Sequence, residues 1–208
     1  MTTSPNQVEL IEGTTRDHSL SQFFTPPKLA AKLVEWADVK PFLPGPRIMR
    51  VLEPSAGNGA IVRELAAAGA HVEAVEIDPR YYGDLTALKI PCVWGEDFLK
   101  MELELWIRDQ FDLVCGNFPF HLDLDGAFTL HALKFAPRVC AIYPANVFYS
   151  GRRGAKLWKH VRPTRAAFMS ERAWEGATDY VALELVKRRT ALDALEPVAV
   201  EWWTESWG

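Results

Sequence analysis

From residue 27 the chain switches repeatedly between two hydrophobic periods. In PKLAAKLVEWAD, 27–38, the apolar positions Leu29, Leu33 and Trp36-Ala37 form one helical stripe, and Pro27 suits a first turn. KPFLPGP, 40–46, is a breaker-rich linker. MRVLE at 49–53 reads as a short buried strand, followed by the turn PSAGNGA and a helix, IVRELAAAG, closed by Gly69. HVEAVEIDP, 71–79, is a second strand ending in acids; a helix over 80–89 and a short strand, PCVW, follow. FDLVCGN, 111–117, is a strand with a helix near 126–136 behind it, and RVCAIYPA, 138–145, is another strand. A helix is expected from about Gly154 to Val161. TRAAFMS and YVALELVKR then read as two late strands around the turn-rich ERAWEGATD.

Strands alternating with helices predict βαβ units, a mostly parallel sheet and helices on both faces, with the late pair as an antiparallel hairpin. Residues 1–20 are polar and aperiodic and read as a flexible arm, leaving 21–208 as one domain. In such sheets ligands sit at the carboxyl ends of the strands, near the point where strand order reverses. Candidate chemistry is therefore sought just after each strand.

Composition narrows the class. The 208 residues are 49% hydrophobic and 24% charged, which is ordinary globular usage and excludes wholesale disorder. A chain of this length buries roughly 70% of its unfolded surface and needs no disulfide or metal staple. No apolar run approaches the ~18 residues of a membrane span. The N-terminus lacks the basic head and apolar stretch of a signal peptide, so a cytoplasmic protein is expected. Cys92, Cys115 and Cys140 lie too far apart for metal-ligand spacing and read as buried, reduced strand residues. Net charge is −4, yet 150–165 holds Arg152, Arg153, Lys156, Lys159, Arg162 and Arg165 without an acid, which leaves −10 for the remainder. Phosphate attraction is screened over about 10 Å, so one basic segment suffices for nucleic acid despite the acidic total. The competing reading is a solvated helix face.

Four constellations follow strands. Glu53-Pro-Ser-Ala-Gly57-Asn-Gly59 turns tightly from strand to helix. It lacks the third glycine of the dinucleotide fingerprint, which weighs against a dehydrogenase. Glu76-Ile77-Asp78-Pro79 places a carboxylate where it can accept both ribose hydroxyls, with Ile77 against an adenine face; a helix-capping acid is the plainer alternative, and suits Asp78 better. Asp97-Phe98 follows the third strand. Gly116-Asn117-Phe118-Pro119-Phe120 follows FDLVC.

With Ser21-Gln22-Phe23-Phe24-Thr25-Pro26 upstream, these motifs stand in the order found in the amino-methyltransferases that use S-adenosylmethionine, and the chain resembles that family over about 23–190. The Phe-x-Thr-Pro element is similar to that of the N6-adenine DNA methyltransferases. The resemblance implies a Rossmann-like class I methyltransferase fold: seven strands, mostly parallel, with an antiparallel last strand. It implies S-adenosylmethionine held by Phe24, Thr25, Pro26, Glu53, Ser55, Gly57, Gly59, Glu76, Ile77, Asp97 and Phe98, and no metal. It implies a catalytic loop of Asn117, Phe118, Pro119 and Phe120. There the Asn117 oxygen and the Phe118 carbonyl accept the hydrogens of the adenine amine, and Phe120 stacks on the flipped base. Arg152, Arg153, Lys156 and Lys159 would contact the nucleic-acid backbone.

Two departures keep alternatives open. Phe118 stands where the DNA enzymes usually have proline, which is closer to the ribosomal RNA adenine methyltransferases. Only about 40 residues follow the basic segment, too few for a separate target-recognition domain. That leaves recognition to loops, to a partner or to a homo-oligomer, and admits a cofactor-binding subunit that is catalytically silent. Trp202, Trp203 and Trp207 crowd the C-terminus and read chiefly as packing or self-association, with stacking on bases as the other reading.

Overall fold

The computed structural model describes residues 23–44, 47–102, 111–151, 156–170, 179–190 and 196–207. The expected arm at 1–20, together with Ser21, Gln22, Arg152 and Arg153, lies outside them.

Eight strands form one sheet: β1 Arg50–Glu53, β2 His71–Glu76, β3 Cys92–Trp94, β4 Leu113–Asn117, β5 Arg138–Pro144, β6 Val161–Met169, β7 Tyr180–Lys187 and β8 Ala199–Trp203. Their order is β3-β2-β1-β4-β5-β7-β6-β8. β1 to β5 run parallel, β7 is antiparallel to both β5 and β6, and β8 is parallel to β6. The first seven strands are those expected, with β7 the antiparallel one. β8 is an addition. It pairs Ala199–Trp203 with Arg165–Met169 and carries the tryptophan-rich C-terminus onto the sheet.

The inward side chains alternate between two cores, as the pleat requires. Val51, Ala74, Leu113, Cys115, Cys140 and Ile142 join the core under α1 Pro27–Trp36 and α2 Ala60–Ala67, which also takes Leu85 of α3 Tyr82–Ala87. Leu52, Val75, Val114, Val139, Ala141 and Tyr143 join the core under α4 Leu124–Ala132. The central strands are buried on both faces, which explains why they read as unbroken apolar runs rather than as alternation. Cys115 and Cys140 are free, buried thiols.

One boundary differs from expectation. The helical turn at 156–157 ends in a turn at 158–160, and Val161 opens β6 instead of closing a helix. Val161 is buried and pairs with Lys187, so strand pairing outweighs the helical pattern of the basic segment.

Trp203 explains why the C-terminus docks. It is 2% exposed and meets Trp36 edge-on at 5.7 Å and Trp207 at 5.9 Å. The neighbouring Glu201 accepts from the Trp36 indole N–H, and the Arg165 guanidinium lies 4.5 Å over the Trp36 ring. Trp202 points the other way and is 67% exposed. Trp203→Ala should therefore lower stability by about 3–5 kcal/mol, the usual range for a buried aromatic. Trp202→Ala should change it by less than about 0.5 kcal/mol. Urea unfolding of both variants checks the contrast.

Candidate active site

Strand order reverses between β1 and β4, and the acid ending one strand meets the asparagine ending the other. Gly116, one residue before Asn117, makes this approach fit: a Cβ there would lie 2.6 Å from Glu53 Oε1 and 3.0 Å from the Phe118 ring. The Ser55 hydroxyl ties the two strand ends together, facing both Glu53 Oε1 at 3.2 Å and the Asn117 carbonyl at 3.3 Å. The Ser55 N–H also donates to Glu53 Oε1, at 3.1 Å.

The glycine loop is shaped by two left-handed residues, Gly57 at φ 52° and Gly59 at φ 80°. They do different work. Gly57 lines the cleft and donates its N–H to Glu76 Oε2 at 2.5 Å. Gly59 starts α2 away from the cleft, where a Cβ would lie 2.9 Å from Leu88 and 3.0 Å from Leu85. It serves helix packing, the task of the absent third glycine of the dinucleotide fingerprint. Glu76 also accepts the Asp78 N–H at 2.7 Å, so its carboxylate pins the ends of both loops it separates. Asp78 caps the following turn through the Arg80 N–H and pairs with the Arg80 guanidinium.

The cleft is a cavity of about 270 Å³ whose lining includes Phe24, Ser55, Gly57, Glu76, Ile77, Asp97, Phe98, Asn117, Phe118 and Pro119. It joins a smaller recess of about 40 Å³ lined by residues that include Thr25, Glu53 and Asn58. Twelve predicted site residues thus line one continuous cleft. Pro26, Gly59 and Phe120 do not line it. Pro26 precedes α1 as its cap, and the Phe120 ring packs against Tyr180 at 5.4 Å and Phe23 at 5.9 Å. Phe98 reaches the cavity but is mostly core, 2% exposed and packed on Phe128, His131 and Phe135. Asp97 Oδ1 accepts from the Leu99 N–H and the carboxylate pairs with Lys100 at 3.3 Å. Lys156 and Lys159 are exposed, in the turn before β6 and outside the cleft lining.

The cleft also takes in Phe23, which opens the Phe-x-Thr-Pro element but is given no site role by the sequence, and Tyr81, which sequence reasoning passes over. Tyr81 meets Phe24 edge-on at 5.3 Å. The only signal for it was a position just beyond the strand-end acids. Phe23 acts through its backbone. The Asn117 amide donates from Nδ2 to the Phe23 carbonyl at 2.9 Å and to Thr25 Oγ1 at 3.1 Å. A carbonyl only accepts, so Nδ2 must face Phe23 and Oδ1 must face the other way. That Oδ1 is buried and has no hydrogen-bond partner among the described residues. Leaving such an acceptor unpaired costs about 1–3 kcal/mol, a strain that calls for an explanation.

The Phe118 ring anchors the same loop. It is 1% exposed and wedged between Phe128 at 5.6 Å and Tyr143 at 6.3 Å. Packing thus supplies here the restraint that a proline would give through its own ring.

Charge in the cleft is one-sided. Among the described residues its lining includes Glu53, Glu76, Glu96 and Asp97, and no Lys, Arg or His. Burial pushes both Glu76 and Glu53 upward, Glu53 to about 8, against the two bonds from Ser55. Glu53 Oε2 is a second buried acceptor without a partner among the described residues. Such a site suits a cationic or hydroxyl-rich ligand and repels a pyrophosphate.

No protein-family model matches the sequence, and no curated protein matches it. Solved structures do. Over 83% of this chain and 90% of the other, the fold matches a proposed RNA methyltransferase from Pyrococcus horikoshii at TM-score 0.63 and 20% identity. The fold is that of the class I methyltransferases. A modification subunit of a proposed type I restriction enzyme from Vibrio vulnificus matches over 80% of this chain and 45% of that one, at TM-score 0.60 and 17% identity. A dimethyladenosine transferase from Plasmodium falciparum matches over 83% and 67%, at 0.57 and 16%. No helix among the described residues is long and apolar enough to cross a membrane.

Glu53 gives this site a pH signature. The unfolded chain releases its proton near 4.5, whereas the folded protein holds it to about 8. The stability this group contributes is full below the lower value and lost as pH rises through the upper one. Glu53→Gln cannot ionise, so its Tm should fall less steeply than that of the wild type between about pH 5 and 8. Equal slopes in calorimetric scans would mean that Glu53 is already ionised in the folded protein.

Proposed function

We propose that the chain is an S-adenosylmethionine-dependent methyltransferase acting on the exocyclic N6 amine of adenine in nucleic acid, with DNA as the substrate. The observation that carries this reading is the Asn117 amide: turned by Phe23 and Thr25 so that its one unpartnered buried acceptor is free for a substrate donor. An amine with two hydrogens matches that need. Its lone pair is delocalised into the purine, and acceptors on its hydrogens favour the tetrahedral nitrogen that can attack. Asn117 Oδ1 and the Phe118 carbonyl take those two hydrogens. Pro119 and the buried Phe118 ring hold the loop.

The cleft residues fit the cofactor. Glu53, with a free Oε2, and Gly57 hold the cationic methionine end; Glu76 takes the ribose hydroxyls; Ile77, Asp97 and Phe98 flank the adenine. Acidic lining without a cation suits a sulfonium better than a dinucleotide, which disfavours a dehydrogenase. When bound, the cofactor supplies an electrophilic methyl group that needs no further activation. The protein's own part is to orient the amine, exclude water and accept its hydrogens.

Phe-x-Thr-Pro favours DNA, and its contact with Asn117 makes it part of the catalytic unit. RNA is the second reading, favoured by Phe118 in the proline position. Lys156 and Lys159, with Arg152 and Arg153 outside the described residues, are assigned to the phosphate backbone. A partner or a second copy is assigned to target recognition, and the cytoplasm is the assigned location.

Tritiated cofactor offered with duplex DNA, single-stranded DNA and ribosomal RNA should label DNA adenine. Labelling of RNA alone would shift the assignment, and no transfer to any of the three would overturn it. Asn117→Ala should abolish transfer while cofactor affinity stays within a few-fold, because its contact strengthens in the transition state. Near-normal turnover would remove Asn117 from the chemistry. Glu76→Gln should weaken cofactor binding by about 1–3 kcal/mol, as a charged acceptor for hydroxyls is lost. Calorimetry measures this directly.

A further inference from the structure

Four aromatic rings lie in a row on the sheet face opposite α1, with Phe168 and Trp158 at the margin of the α4 core. Trp158 and Phe148 stack at 5.6 Å with 11° between planes. Phe148 meets Phe168 at 5.8 Å and 31°, and Phe168 meets Trp202 at 5.1 Å and 30°. Ring pairs in the core of this protein meet at steeper angles, 87° for Trp203 and Trp36 and 41° for Phe118 and Phe128. This row is flatter, and two of its rings are open: Phe148 is 39% exposed and Trp202 67%.

The row aligns with the catalytic asparagine. Asn117 pairs with Ile142, Ile142 with Ala182, Ala182 with Ala167 and Ala167 with Glu201. Phe168 and Trp202 follow the last two by one residue. Four strand spacings of ~4.8 Å separate Asn117 from the outer ring, about 19 Å along the carboxyl ends of the strands. A few nucleotides of extended chain cover that span.

Charge selects the occupant. The stretch from Phe148 to Phe168 holds six Lys and Arg residues and no acid; Arg165 turns to the other face over Trp36, while the exposed Lys156 and Lys159 bracket Trp158. Glu201, the acid beside Trp202, points to the other face, where it accepts from Trp36. An apolar protein partner would gain nothing from flanking cations, whereas a polyanion with flat bases uses both features.

We propose that Phe148, Trp158, Phe168 and Trp202 form a stacking platform for unpaired bases flanking the target, with the adjacent lysines on their phosphates. The proposal rests on the nucleic-acid reading of the active site and adds to it where the strand runs after leaving the cleft. It assigns substrate retention to a surface of the catalytic domain itself.

Fluorescence anisotropy with labelled single-stranded oligonucleotides tests it, using wild type, Trp202→Ala and Trp202→Phe. The alanine variant should bind about 10-fold more weakly and the phenylalanine variant within about 2-fold of wild type, since any flat ring stacks. The log-log salt slope should stay the same in all three, because no phosphate contact is removed. Wild-type affinity in Trp202→Ala would overturn the platform and leave the active-site reading intact. So would a dimer that becomes monomeric in sedimentation while each protomer keeps its affinity, which would mark the row as a self-association face. If the wild type binds no oligonucleotide, the nucleic-acid reading itself fails and the platform with it.

Discussion

The Asn117 side chain has one orientation because two acceptors upstream of α1 claim both of its N–H groups. Much else depends on that constraint. It joins the segment before the first helix to the end of the fourth strand, 92 and 94 residues apart in sequence. It also decides which atom of the amide is left over. Without the Phe23 carbonyl the amide could rotate by half a turn and present donors to the cleft, where the proposed amine substrate needs acceptors. Gly116 has a matching role at the same strand end, because a side chain there would push Glu53 away from Ser55. The site is thus a junction of three chain segments, each of which restrains the other two.

The electrostatic character of the cleft follows from its place in the fold. Parallel strands end in carboxylates at Glu53 and Glu76, and those carboxylates sit beneath apolar lids from Phe24 and Tyr81. Burial raises the cost of their charge, and backbone N–H groups from Ser55, Gly57 and Asp78 offset part of it. A cationic ligand would offset the rest. The acid-free cluster of basic residues at 150–165 lies elsewhere, before and within β6.

Much of this was legible in the sequence, for a physical reason. Glu53, Glu76, Asp97 and Asn117 each close an apolar run, and the carboxyl ends of a parallel sheet gather at one edge. What escaped was whatever depends on side-chain direction. Gly59 looks like a partner to Gly57, yet it faces Leu85 and Leu88 instead of the cleft. Phe120 looks available for a base, yet its ring rests on Tyr180, a residue sixty positions away. β8 escaped because AVEWW is short, and the tryptophans drew the eye more than the alternation that places Trp203 inward and Trp202 outward. Phe23 escaped because it contributes a backbone carbonyl, which no residue type announces.

The buried Phe118 ring has a consequence for how activity is lost. A proline stiffens its loop through covalent geometry, and does so even in an unfolded chain. Phe118 stiffens its loop only while Phe128 and Tyr143 stay packed around it. The loop therefore shares the cooperativity of the α4 core and has no stiffness of its own. Heat or denaturant should leave the active geometry intact up to the global transition and then remove it in the same step, with no earlier phase of a folded but slack enzyme.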